Sequence, residues 1–167
     1  MFVIYYYQYH SRIYSHFVYR TGDSALAEDL TSETFLKAYQ AFDRYNRDYA
    51  FSTWIYTIAR NTLHDHWRKH KSDLLSQYYD EHEEEIEDEQ SEEVWFQTEQ
   101  SLDRKTIMSA VEQLTPMQQS CMVMKYLDAL SNKEISQILE LSEPAVRQHL
   151  TRGGRAIQSL LAPYYQQ

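Results

Sequence analysis

The chain has 167 residues with only 3 Gly and 3 Pro, which allows one ordinary domain or two small ones and argues against a loop-rich sheet protein. Its one cysteine, Cys121, excludes an internal disulfide, and no apolar run reaches the length of a membrane span. The net charge of −9 taken alone argues against a nucleic-acid partner, but 13 of the 25 acidic residues fall in residues 73 to 103, where Lys and Arg are absent, and the remainder carries 12 acids against 16 bases.

The opening "MFVIYYYQYHSRIYSHFVYR" reads as a helix that stops at Thr21-Gly22-Asp23, with Asp23 or Ser24 able to cap the next one. It has neither a basic leader nor a small-residue cleavage site, so a cytoplasmic protein without membrane insertion is expected. The second helix keeps Ala27, Leu30, Thr34, Ala38 and Phe42 on one stripe, with Glu28, Asp29, Glu33 and Lys37 off it. A polar loop, "DRYNRDYAF", leads to "STWIYTIARNTLHDHWRKHK", for which Ser52 is the expected N-cap. There Ile55, Ile58, Ala59, Thr62, His66 and Trp67 form the expected packing side, and Arg60, Asn61, His64, Asp65 and Arg68 the polar side.

Residues 73 to 103 read as an acidic linker, extended over most of its length with a short helix within it also open, and with Val94, Trp95 and Phe96 as its strong apolar cluster. Beyond it, Ile107, Ala110, Val111 and Leu114 share a helical face, and Thr115-Pro116 starts a helix written "PMQQSCMVMKYLDAL". The apolar surroundings of Cys121 in that helix predict a buried, inert thiol. Ser131 and Glu134 have capping-box spacing before Ile135 and Ile138, and Ser142 can cap a longer helix with Pro144 in its first turn. A short helix, a tight turn and a longer helix outline a helix-turn-helix.

The second helix of such a motif buries one face and presents the other to the major groove. Val146, Leu150, Gly153, Ile157 and Leu161 form the inward stripe, leaving Arg147, Gln148, Thr151, Arg152 and Arg155 outside it. Arg can address guanine O6 and N7, Gln can address adenine N6 and N7, and further Arg and Thr side chains can hold phosphates. Nothing in the sequence pairs a nucleophile with a base or spaces ligands for a metal, so neither an enzyme nor a cofactor is expected.

These stretches resemble the sigma factors of bacterial RNA polymerase, in particular the compact extracytoplasmic-function (ECF) group that keeps the second and fourth conserved regions. The resemblance rests on "TGDSALAEDLTSETFLKAY", "FSTWIYTIARNTLHDHWR" and "LTPMQQSCMVMKYLDALSNKEISQILELSEPAVRQHLTRGGRAI", in that order. It implies an all-α chain of two small helical domains: a region 2 bundle over residues 1 to 72 and a region 4 helix-turn-helix over 104 to 167, joined by the acidic linker. It also implies a transcription initiation factor that binds core polymerase and promoter DNA. Asp29, Glu33, Phe35, Lys37 and Arg44 then correspond to the surface that docks on the clamp helices of the largest polymerase subunit, and region 4 to the unit that meets the flap of the second-largest. Arg47, Asp48, Ala50 and Phe51 correspond to the loop that captures a base flipped from the minus 10 strand, with Asn61, Asp65, Arg68 and Lys69 near it. Arg147, Gln148, His149, Thr151, Arg152 and Arg155 correspond to the minus 35 contacts. An anti-sigma factor is implied as well, since many ECF members have one.

Two departures bear on these expectations. His149 stands where many relatives carry a base, which implies a weaker or pH-dependent groove contact. Gly153-Gly154 stands where Ala-Arg is usual, at about 1 kcal/mol of helix propensity per glycine, and either bends the helix or lets it pack closely. Two other functions stay open at this point: a dimeric operator-binding regulator, and a decoy that occupies the clamp without reading promoters. For the acidic linker, a self-repelling spacer and a nucleic-acid mimic on the later RNA path are both open.

Overall fold

The computed structural model describes residues 1–70, 72–82 and 103–164. The described residues are helical with short connections and contain no strand. Helix α1 (Phe2–Thr21) ends because Gly22 takes φ 67°, which an L side chain resists, and its N–H donates to the Val18 carbonyl at 2.9 Å. Asp23 then caps α2 (Ser24–Ala41) by accepting from the Ala25 and Leu26 N–H groups at 2.9 and 3.1 Å. A 3-10 turn, Phe42–Arg44, and an exposed loop lead to α3 (Phe51–Lys69). The three helices close around Ile13, Phe17, Ala27, Leu30, Ala38, Ile55, Tyr56 and Ala59.

Three sequence expectations are corrected here. Ser52 does not cap α3, which begins after Ala50; its hydroxyl donates instead to Glu134 Oε1 at 2.6 Å. His64, placed on the polar side of α3, is buried, while His66 is only half-buried. The cause is a further helix, α4 (Asp73–His82), in the first ten residues of the acidic linker, a segment whose sequence allows a short helix. Its Tyr78 is buried with its ring centroid 4.4 Å from that of His64, so apolar contact with α3 outweighs the low hydrophobicity of the segment. The rest of the acidic run, residues 83 to 102 with Val94, Trp95 and Phe96, lies outside the described residues.

The second unit begins with α5 (Arg104–Glu112), whose N-cap Asp103 accepts from the Thr106 N–H at 2.7 Å. Helix α6 (Pro116–Met122) follows, with Pro116 at its start as expected; Thr115 sends its hydroxyl to Glu81 Oε2 at 2.6 Å and does not cap with it. The continuous helix expected here widens into a π-helical turn, Val123–Leu127, closed by the Asp128 N–H on the Val123 carbonyl at 3.0 Å. Ala129 at φ 55° then redirects the chain.

Helix α7 (Asn132–Leu139) has the reciprocal capping box, with Glu134 N–H donating to Ser131 Oγ at 3.1 Å and Ser131 N–H to Glu134 Oε2 at 2.9 Å. Glu140 at φ 58° makes the tight turn, and Ser142 caps α8 (Glu143–Leu161) through the Ala145 N–H at 3.2 Å. The two units pack on one another: α3 meets α7, α4 meets α6, and α1 meets α5 and the π turn.

Candidate nucleic-acid interface

Helix α8 is the second helix of the helix-turn-helix, and its sequence decides which face is available. The expected inward stripe, Val146, Leu150, Gly153, Ile157 and Leu161, is buried throughout. Arg147, Arg152 and Arg155 are exposed, and Gln148 and Thr151 are half-buried. The Thr151 hydroxyl donates to the Arg147 carbonyl at 2.9 Å, which ties it to the helix and leaves its oxygen as an acceptor. His149 is corrected: it is 5% exposed and belongs to the interior, not to the groove-facing set. Gly153 has a packing reason. A Cβ there would meet Met122 Cγ at 2.8 Å, so the glycine allows α8 to approach α6, and α8 continues unbroken through both glycines.

The loop before α3 exposes Arg47, Asp48 and Ala50, and the Asp48 N–H is fixed on Asn46 Oδ1 at 3.0 Å. Phe51 is corrected from loop surface to core: it is 6% exposed and stacks on Tyr5 at 4.0 Å between centroids. Sequence reasoning missed its neighbours. Half-buried Tyr45 and Trp54 lie 4.9 Å apart on the outer side of Phe51, and the Tyr45 hydroxyl holds the loop by donating to the Tyr49 carbonyl at 2.6 Å. The aromatic spacing of "RYNRDYAFSTW" is the signal that could have found them. Rings so placed can stack on an unpaired base.

The face of α3 that continues from this loop carries exposed Asn61, Arg68 and Lys69. Half-buried Asp65 joins it to α2: Lys37 Nζ lies 3.2 Å from Asp65 Oδ2 and 2.8 Å from Glu33 Oε1, and Arg68 lies 3.2 Å from Asp65 Oδ1. Burial pulls the Lys37 ammonium down, but hydrogen bonds to Glu33 and Asp65 outweigh it and hold the pKa above its ordinary value. The structure thus links residues that the sequence assigned to two different surfaces. Asp29 and Arg44 are exposed, whereas Phe35 is corrected: it is 4% exposed, with its ring 5.0 Å from that of Tyr6 and 6.5 Å from that of Phe2.

Buried titratable groups lie behind these faces. Desolvation, followed by the charge of Arg60, lowers the His64 pKa to about 4, so the ring is neutral near pH 7. Burial lowers Arg20 to about 10, which leaves it charged, and pushes the Cys121 thiol up, which keeps it protonated. Among the described residues there is no cluster of three His, Cys, Asp or Glu able to hold a metal ion, and no helix long and apolar enough to cross a membrane.

Residues 5–72 match the family described as Sigma-70 region 2, and residues 104–157 the family described as Sigma-70, region 4. The chain is 35% identical over 160 residues to the ECF RNA polymerase sigma factor BldN of Streptomyces coelicolor; the match covers 92% of this chain but 58% of BldN. It is 30% identical over 164 residues to the ECF RNA polymerase sigma factor SigW of Bacillus subtilis, covering 92% of this chain and 84% of SigW. Among solved structures, the sigma factor RpoE from Bartonella quintana, in complex with the anti-sigma factor NepR, matches with a TM-score of 0.76 over 96% of each chain at 18% identity, a likeness of fold.

Proposed function

The chain belongs to the ECF group of the sigma-70 family, and from that premise we propose that it binds core RNA polymerase and directs promoter-specific initiation of transcription. The observation that carries this reading is the exposed Arg147, Arg152 and Arg155 on the second helix of a fully capped helix-turn-helix, in one chain with a bundle that borders its loop with Tyr45 and Trp54. In this reading Arg147 and Gln148 address base edges of the minus 35 element, while Thr151, Arg152 and Arg155 hold phosphates.

The loop of Arg47, Asp48 and Ala50 takes the minus 10 base, and Tyr45 and Trp54 return the stacking lost on extrusion, a few kcal/mol. Asn61, Asp65, Arg68 and Lys69 continue that path along α3, with Asp65 and Arg68 paired. Exposed Asp29 and Arg44, together with Glu33 and Lys37, meet the polymerase clamp, where complementary charge speeds and registers docking. Phe35 supports that face from beneath. Region 4 meets the flap of the second-largest subunit.

The work is done with binding energy and not with bond chemistry, and its place is the cytoplasm, where promoter and polymerase are. An anti-sigma factor is the natural inhibitory partner. The test is promoter binding by the full chain with and without core polymerase: specific binding that appears only with core supports the reading, and tight binding to a palindromic site by the free chain contradicts it.

A further inference from the structure

The last turn of α3 brings together two histidines to which promoter reading gives no work. His66 and His70 stand four residues apart on one side of the helix, with ring centroids 4.0 Å apart and planes inclined by 31°. His70 is exposed and His66 half-buried. The His70 Nδ1 lies 2.8 Å from the His66 carbonyl, which can only accept, so Nδ1 carries the proton and the lone pair sits on Nε2. A ring whose N–H is donated to a backbone carbonyl, with its other nitrogen turned away, is the usual state of a metal-ligating histidine. Burial, and next the His70 ring, lower the His66 pKa against the pull of Glu33, so this ring too is neutral near pH 7.

Bonds of about 2.1 Å set two ligand nitrogens of one ion about 3 Å apart, and rings at this separation reach that span by small turns about χ2. The carbonyls of the last turn give the helix end a partial negative charge, which favours a cation. Across from it, α2 runs in the opposite direction. Lys37 Nζ lies 3.4 Å from Thr62 Oγ1 and 3.2 Å from Asp65 Oδ2, and one turn along each helix the charge of Glu33 acts on His66. In that register Asp29 falls at the level of His70. Arg68 opposes a cation, but it is paired with Asp65; Lys69 is exposed to water. His64 takes no part, since its ring is buried against Trp67 and Tyr78. The sequence expectation of no metal-ligand spacing passes over the pair because it lacks the third residue of a closed site.

We propose that His66 and His70 chelate one divalent transition-metal ion, of the zinc, nickel and copper class that imidazole suits, with water completing its coordination. The bound ion places two positive charges beside Glu33, on the acidic face of α2, and so slows docking on core polymerase. That consequence rests on the sigma-factor reading; the site itself does not.

The test is made on the full chain at neutral pH. Copper(II) added below one equivalent should first broaden the amide NMR signals around His66 and His70. Calorimetric titration with zinc should show one site that His70→Ala and His66→Asn each weaken at least about ten-fold. Broadening that begins at the linker acids, at His10 or at His82, or zinc affinity unchanged in His70→Ala, overturns the site. His70 is exposed at the helix end, so its variant keeps the test open should His66→Asn fold poorly. With immobilised core polymerase, zinc should slow association of wild type at least about two-fold and leave His70→Ala unaffected, which discounts ions held by the linker. An equal rate for wild type with and without zinc overturns the effect on docking. A chain that does not bind core at all overturns the sigma reading, while the two titrations still decide the site.

Discussion

His16 on α1 and Asp128 after the π turn, 112 residues apart in sequence, face each other at 2.7 Å with both side chains excluded from water. Removing the carboxylate leaves the His16 ring buried against Phe17 and Tyr56 without its partner. Asp128→Ala should therefore lower stability by about 1 to 3 kcal/mol, the cost of a buried polar group left without its partner. The double variant with His16→Leu should cost less than the sum of the two single changes. Urea unfolding followed by circular dichroism measures both, and additive losses would show that the pair is not coupled.

His64 gives the stability a pH dependence of known sign. Its folded pKa of about 4 lies below the unfolded value, so the unfolded chain binds the proton more readily between about pH 6.5 and 4. The stability from keeping the ring neutral is complete above that window and is lost as pH falls through it. Between pH 7 and 5 the loss should be about 2 kcal/mol. His64→Phe should flatten that part of the profile, and an equally steep fall in this variant would remove His64 as the cause.

Gly153→Ala sets helix propensity against packing. The gain is about 1 kcal/mol. Against it, the new Cβ would lie 2.8 Å from Met122 Cγ, in the middle of a buried side chain that has little room to move. Packing should win, with a net loss of about 1 kcal/mol in thermal denaturation. A stabilised variant would show that α6 yields to α8.

Local features were legible in the sequence, whereas partners distant in the chain were not. Gly22, Asp23, the Ser131–Glu134 box and Ser142 end or begin helices through groups within a few residues, so their roles follow from spacing. Ser52, Phe51, Phe35 and His64 were misplaced because the burial of each depends on an element that periodicity does not name. Ser52 answers to α7, Phe51 and Phe35 to α1, and His64 to α4. The contacts of Arg12, His16 and Arg20 with the second unit had no sequence signal, since helical spacing shows that three residues share a face and not what that face meets.

Arg147→Ala should relax discrimination at one or two minus 35 positions by about 1 to 3 kcal/mol. Arg155→Ala should weaken all promoters alike and reduce the salt dependence of binding. Competition binding of the holoenzyme to single-base variants of a promoter separates the two. An unchanged preference in Arg147→Ala would take this residue out of base reading.

Asp29→Lys reverses an exposed charge and should leave thermal unfolding unchanged while slowing assembly with core polymerase. Surface plasmon resonance on immobilised core reads the association rate. A normal rate would remove Asp29 from the docking surface.

Transcription by core polymerase reconstituted with this chain on a fragmented genomic library is the most direct test of promoter-directed initiation. Transcripts should start downstream of one shared pair of minus 35 and minus 10 sequences and vanish without the chain. A reconstituted enzyme that yields no transcript beyond the background of core alone would contradict it.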